Sequence, residues 1–486
     1  MANVRRPTEG PMSPGGEYPE TVGSTRREAL QNGAKLVLAA GIGAQIMAAT
    51  GAETAIAKQV RSVASRAGNK PGYGPLVRTG QLRLPAGFQA FEFGKAGTPM
   101  SDGNRTPKHH DGSTLFDAGN GRLTMIRNQE RAGFGKAISK HNAYDRHAKG
   151  GVTTSLFDTG TGELIGSSLV LNGTDNNCNG GKTPWGTWLT CEESTVGAHK
   201  GYEKEHGYVF EIPMDATSPI DPKPIKAMGR FLHEACAIDP KTGIVYMTED
   251  EGPDGFYRYI PDHAGQLHRG GKLQMLCIKG RSRYNTVTGQ KVGERLPCEW
   301  VTIKDPDPED AERNASHVYK QGRDQGAARF MGLEGANWAQ GSVWFTASEA
   351  GDLYAGQVWR YTPSRNIKKG TLELVYESNK RSVLDEPDAI VVSPRGGVVL
   401  CEDGDGEDGG FNYLRVLAPN GKMETFGKIT TPLLVTDEED LIGKDKWGRT
   451  EWSGACYSPD GKWLFVNLYQ PGVSYAITGP WEKGWM

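Results

Sequence analysis

The chain has 486 residues, with 56 Lys and Arg against 58 Asp and Glu and a formal charge of −2. That balance excludes the basic footprint of a nucleic-acid binder. With 66 Gly, 28 Pro and short β-branched and aromatic runs, the composition favours an all-β fold.

Residues 1–24 are polar and rich in Gly, Pro and Ser, which predicts disorder. Arg26-Arg27 then precede the Ala- and Gly-rich apolar run 33–50, a pattern similar to a twin-arginine export signal, with Ala55-Ile56-Ala57 as an A-x-A cleavage site. A membrane anchor and an amphipathic helix are the competing readings, but the run is short and weakly apolar for a span. The expectation is a signal over 1–57 and one domain over 58–486. Such a chain would pass through the twin-arginine machinery to the periplasm or beyond, with no stable membrane anchor.

Six similar strand-like segments follow, ending at Glu130, Glu193, Asp250, Glu349, Asp403 and Gln470. Their intervals of about 55–100 residues suggest radial repetition. Turns such as Asp239-Pro-Lys-Thr-Gly243 and Ser458-Pro-Asp-Gly461 precede several of them. The pattern predicts a six-bladed β-propeller, with a β-sandwich plus a second β domain as the alternative. An insertion is expected between the third and fourth blades, about residues 261–330. Its charged stretch Asp305–Arg313 reads as a solvated excursion.

Four segments carry a further repeat. Cys178 precedes Glu193, Glu234 precedes Glu249, Glu334 precedes Glu349 and Asp388 precedes Asp403, each across a strand, a Gly-containing turn or loop and a second strand. An antiparallel hairpin returns to the end where it began, so both members of a pair should share one face. Only cations make so dense a gathering of acids tolerable. Cys178 stands in Asn176-Asn-Cys-Asn-Gly-Gly181, which reads as a loop with an exposed thiol. It is either a thiolate ligand to iron, zinc or copper or a loop cysteine with no role. Taken singly, each carboxylate reads as a solvated rim residue or a partner of arginine; taken together, their shared phase suggests oxygen ligands for calcium. Glu130 holds the strand-end position of the first blade. His233 reads as a group that supports Glu234, with ligation and proton donation as alternatives. Glu402-Asp-Gly-Asp-Gly-Glu-Asp-Gly-Gly410 reads as an acidic loop over the mouth, without EF-hand spacing. Cys191, Cys236, Cys401 and Cys456 lie in strand-like runs and read as buried small hydrophobes, whereas pairing of Cys277 with Cys298 stays open.

The block Leu171-Asn-Gly-Thr-Asp-Asn-Asn-Cys-Asn-Gly-Gly-Lys-Thr-Pro-Trp-Gly-Thr-Trp-Leu-Thr-Cys-Glu-Glu193 closely resembles the signature of the PhoX family of secreted bacterial alkaline phosphatases. His233-Glu-Ala235, Thr248-Glu-Asp250, Pro387-Asp388 and Ala476-Ile-Thr-Gly-Pro-Trp481 extend the likeness from about residue 80 to the C-terminus. The resemblance implies a six-bladed propeller whose central iron and calcium cluster hydrolyses small phosphate esters, and the chain itself is expected to be a monomer. It makes Cys178 an iron-bridging thiolate, with Cys178 and Glu334 at the catalytic centre. Glu193, Glu234 and Glu334 become calcium or iron ligands, Glu130, Asp388 and Glu402 further ligands, and His233, Glu249 and Asp403 supporting groups. Two departures stand out. Arg127-Asn-Gln-Glu130 replaces Arg-Asn-His-Glu, and Gly332 stands where the family has its phosphate-gripping Arg. Arg329 or Arg323 would have to substitute, or the substrate is not a phosphomonoester. A metal-binding propeller without phosphatase activity and an ester or lactone hydrolase are the alternatives.

Overall fold

Alternating apolar residues between Gly-containing turns form antiparallel strands through most of the described residues, which are 70, 72–404, 411–429 and 450–486 of a computed structural model. The export-signal reading of 1–57 and most of the acidic stretch after Glu402 lie outside them. The fold is all-β, with one α-helix of note among the described residues, His317–Asp324.

Six hairpins organise the chain. Their strands are His110–Gly119 with Arg122–Gln129, Asn177–Lys182 with Thr187–Glu192, and His233–Ile238 with Val245–Glu249, then Leu333–Ala339 with Ser342–Ala347, Pro387–Val392 with Val398–Glu402, and Trp452–Tyr457 with Leu464–Leu468. The first strand of each hairpin packs against the first strands of the hairpins before and after it, and the sixth packs on the first. The six first strands therefore form a closed circuit about one axis, while further strands extend each sheet outward. Away from the hairpin mouths, these strands line a largely neutral axial cavity of ≈ 390 Å³ with residues such as Ala336, Ala389, Ala455, Trp188 and Trp338.

The two ends of the described chain meet: Gln89–Phe93 pairs antiparallel with Val473–Thr478 and completes the sixth sheet. Apolar cores fill the spaces between neighbouring sheets, as where Phe256 stacks on Phe345 at 4.5 Å between the third and fourth. Burial of such rings contributes about 1.5–3 kcal/mol each.

Two strands of the stretch 261–330 are built into the sheets, and its helix His317–Asp324 lies outside them. Gly271–Ile278 is the fourth strand of the third sheet, and Arg295–Thr302 pairs with it on one side and with Gly370–Glu377 on the other, fusing the third and fourth sheets. The charged run 305–313 is likewise anchored: Asp307 accepts a 2.7 Å hydrogen bond from Tyr208, and Glu312 accepts the backbone N–H groups of His199 and Lys200. All seven cysteines are buried and free. Cys277 faces Glu299 and Cys298 faces Ile278, one register step apart, so their side chains enter different cores and do not pair.

Candidate metal centre

Each of the six hairpins carries the same irregularity at the start of its first strand. Two residues there oppose one on the second strand, between His110 and Ser113, Asn177 and Gly180, His233 and Cys236, Leu333 and Ala336, Pro387 and Ile390, and Ser453 and Cys456. A bulge of one extra residue re-aims a side chain out of the pleat. The residue that begins it is Asp111, Cys178, Glu234, Glu334, Asp388 or, in the sixth hairpin, Gly454. The five donor-bearing residues thus hold one equivalent position around the axis. Gly454 breaks the series because it has no room for a side chain, a Cβ there lying 2.3 Å from the Asp111 carbonyl oxygen. Glu451 enters from three residues earlier instead.

The backbone just outside each bulge repeats too. The N–H groups of Glu130, Glu193, Asp250, Ser348 and Asp403 bond to the carbonyls of His109, Asn176, Leu232, Gly332 and Glu386, each two residues before the bulge residue. Four of those five acceptor residues, Leu232 excepted, have left-handed φ between 46° and 58°. The strand-end residues are thereby fixed beside the bulge donors.

Together these elements place eight carboxylates and one thiol in a linked chain of four groups, within each of which the donor atoms lie within 4.8 Å of one another. Asp111, Glu130 and Cys178 form the first, Cys178, Glu193 and Glu234 the second, Glu234, Glu334 and Asp388 the third, and Asp388, Asp403 and Glu451 the fourth. Cys178, Glu234 and Asp388 each belong to two groups. Burial, then mutual repulsion, pushes the carboxyls up: Asp111 to about 6 and Glu193 to about 8, with Glu130, Glu234, Glu334, Asp388 and Glu451 well above the usual range. The same causes raise the Cys178 thiol. Both carboxylate oxygens of Glu234 and Oδ2 of Asp111 are buried without a hydrogen-bond partner. Orphaned carboxylate oxygens are costly in an interior, and bound cations would satisfy them. One soft sulfur among hard oxygens fits cations of two kinds.

Cys178 is not the exposed loop thiol that its polar surroundings suggest. It is 7% exposed, in a strand whose polar side chains find partners inside the protein. Asn177, for example, donates to Thr190 Oγ1 at 3.1 Å.

Glu249 and Glu402 also depart from expectation. They belong with Glu192 at the last residue of the second strand, opposite His233, Pro387 and Asn177. One step along a strand reverses the face, and all three turn away from the mouth. Glu192 accepts N–H groups from Asp175, Gly207 and Tyr208 and a 2.6 Å bond from His206 Nδ1. Glu249 accepts from Gly255 N–H and Tyr257 Oη. Glu402 accepts from the Asp385 and Tyr413 N–H groups and from Arg415 Nε at 2.7 Å. Glu402 is therefore engaged by Arg415 rather than gathered with the mouth carboxylates, and Asp250 is the structural counterpart of Glu193. In the fourth hairpin Ser348 holds that place and donates to Glu334 at 2.7 Å.

His233, buried and stacked at 3.6 Å on Phe231, bonds through Nε2 to the Gly229 carbonyl. Burial lowers its pKa to about 4 and keeps it neutral. Gln129 shares a 3.0 Å hydrogen bond with Thr153 inside the first sheet. A Cβ at Gly332 would lie 2.5 Å from Ser348 Oγ and 2.8 Å from the Glu349 nitrogen, so the space for a side chain is already filled. Arg323 is buried and donates to the Ala327 carbonyl beyond its helix. Arg329 lies three residues before Gly332, its Nη2 3.9 Å from Met331 Sδ.

Sequence reasoning missed Asp111, Glu451, Asp250 as the counterpart of Glu193, and Tyr469. Tyr469 lies across from Glu451 and donates to the Glu130 carbonyl at 3.2 Å. The fifteen-residue spacing hid Asp111, because the strands of the first hairpin are longer.

A family model described as alkaline phosphatase PhoX matches residues 163–472, which span hairpins two to six. The chain belongs to the PhoX family. Asp111 and Glu130 lie outside the matched segment. Among solved structures, the chain is similar to Pseudomonas fluorescens PhoX in complex with vanadate, a transition state analogue, at 17% identity and a TM-score of 0.60, over 84% of this chain and 97% of that one. Weaker likenesses include a gluconolactonase from Xanthomonas campestris, at 10% identity and a TM-score of 0.40 over 83% of this chain and 91% of that one. Another is the calcium-binding protein regucalcin from Agrobacterium tumefaciens, at 10% identity and a TM-score of 0.37 over 81% and 98%. No curated protein matches the sequence. Membership of this family makes the chain a phosphatase-type hydrolase. Among the described residues, no helix is long and apolar enough to cross a membrane.

Proposed function

We propose that the chain is a six-bladed β-propeller phosphatase, exported by the twin-arginine route, that hydrolyses phosphate esters at a mixed iron and calcium centre in the mouth of the six hairpins. The observation that carries this reading is the chain of four donor groups sharing Cys178, Glu234 and Asp388. Within it, Cys178 supplies the sulfur and belongs to both of the first two groups. Cations held there would polarise the phosphoryl oxygens and activate a water.

The protein's own residues would do the positioning. Asn176 Nδ2 holds Glu193 Oε2 at 2.9 Å, and Ser348 holds Glu334 Oε1, so each carboxylate keeps one oxygen directed by the chain. With no side chain possible at Gly332 as packed, substrate contact must come from elsewhere on the rim. The test is metal content and phosphate release for Cys178→Ala and Glu234→Gln beside the unaltered protein. Joint loss of metal and turnover supports the reading; full turnover in Cys178→Ala removes Cys178 from the centre.

A further inference from the structure

Between the second and third strands of the first sheet, residues 131–149 form a flap that leaves the mouth at Glu130 and returns to the sheet at Gly150. It carries Arg131, Lys136, Lys140, Arg146 and Lys149 against a single acid, Asp145, beside a mouth that is otherwise acidic. The flap is well tied. Gly135 N–H bonds to the His147 carbonyl at 2.8 Å, Ala137 N–H to that of Arg146, and Asn172 Nδ2 bridges the Ser139 and His141 carbonyls. Asp145 is buried and committed to the N–H groups of His147 and Lys204, and Arg146 pairs with Glu203, so Lys136 and Lys140 carry the positive charge of the exposed edge.

Three of its residues, Arg131, Lys149 and Phe134, neighbour one another in the segment that follows Glu130. Arg131 follows Glu130, accepts the Asn176 N–H on its carbonyl, and donates from Nη1 to the Lys149 carbonyl at 3.4 Å. The Lys149 side chain crosses Gly135 and Gly133, so closely that a Cβ on Gly135 would lie 2.7 Å from Lys149 Cδ. Between those two glycines stands Phe134. Its ring is stacked at 4.7 Å on His147 and met edge-on by Tyr202, yet it remains 55% exposed. A large ring kept exposed and held from two sides costs apolar hydration, and the flap offers no core to bury it. Its Cα is three residues from that of Arg131, at most about 11 Å along the chain, and Arg131 directly follows Glu130.

Resting on the phosphatase reading, we propose that Arg131, Lys149 and the exposed part of the Phe134 ring form the leaving-group subsite. It selects phosphate esters of aromatic alcohols that carry a second anionic group on the ring. The ring would stack on Phe134, and the second anion would meet Arg131 and Lys149. Those cations would also offset the repulsion between an anionic substrate and an incompletely neutralised mouth.

The test compares kcat/KM for 4-carboxyphenyl phosphate with that for glycerol 2-phosphate in the metal-loaded protein, Phe134→Ala and Lys149→Ala. The ratio of the two should fall about tenfold in each variant, as expected for one lost stacking or charge contact. A ratio unmoved in both variants overturns the subsite while leaving the hydrolase reading intact. Calorimetric binding of 4-carboxybenzylphosphonate gives a readout independent of turnover. Binding that depends on Phe134 in a protein without turnover upholds the subsite and overturns the hydrolase reading. Binding indifferent to both substitutions overturns the subsite.

Discussion

Glu192 and Glu193 are adjacent, chemically identical and enclosed by the same hairpin, yet the protein treats them in opposite ways. Glu192 receives three backbone N–H groups and the His206 ring. Burial opposes the imidazolium, but Glu192 and Asp145 outweigh it and hold the His206 pKa at about 10. Glu193 receives an amide from Asn176 and otherwise faces Cys178, Glu234 and the other mouth acids, with its pKa pushed up to about 8. Glu249 beside Asp250, and Glu402 beside Asp403, repeat the contrast. The inward carboxylate of each pair is satisfied by the chain and organises the loop to the next strand. The mouthward one faces the other buried acids.

Substitutions should separate the two kinds. The largest effect belongs to the mouth: Cys178→Ala should lose bound metal and lower turnover by about a thousandfold or more, measured by elemental analysis and phosphate release, with little change in the fold of the chelated protein. Next is Glu192→Gln, which strands His206 and should cost about 3–5 kcal/mol of stability, read as a fall in the denaturant midpoint. Glu193→Gln should do the reverse in metal-free protein, leaving stability equal or higher because it removes a carboxyl that folding forces to take up a proton, while weakening metal binding.

The third effect is on pH. In metal-free protein Glu193 holds its proton up to about 8, against 4.5 for the unperturbed group. The folded state then binds more protons than the unfolded state between those values, so stability falls as pH rises from about 5 to about 8. Thermal melts of chelated and metal-loaded protein across that range should diverge, and parallel curves would break the contrast. The smallest effect is at Gly332. Gly332→Ala should cost about 1–3 kcal/mol through contact with Ser348 and Glu349, and Gly332→Arg should not raise phosphate affinity unless those residues move.

Much of this was legible in the sequence because the donor spacing follows the hairpin period. Cys178, Glu193, Glu234, Glu334, Asp388 and Asp403 were all placed at the mouth by spacing alone. The slip at Glu249 has a plain cause: Glu249 and Asp250 are both acidic, and a bulge adds one residue to the first strand, so counting along the chain does not tell which of the two turns inward. Glu349 was misplaced by one residue in the same way, since Ser348 holds the place of Glu193, whereas Glu402 came from the family resemblance and is engaged by Arg415 on a different strand. Glu451 could not be found by spacing, because Gly454 vacates the repeated position and its replacement comes from outside the strand. The flap was passed over because basic residues at irregular spacing carry no periodic signal.

The most direct test of the account is to measure iron and calcium in the full-length protein, together with phosphate release from a generic monoester before and after chelation. The account predicts both metals at the mouth, turnover that disappears with them and returns on reloading, and loss of both in Cys178→Ala. Turnover that survives complete removal of metal, or an unaltered metal content in Cys178→Ala, would contradict it.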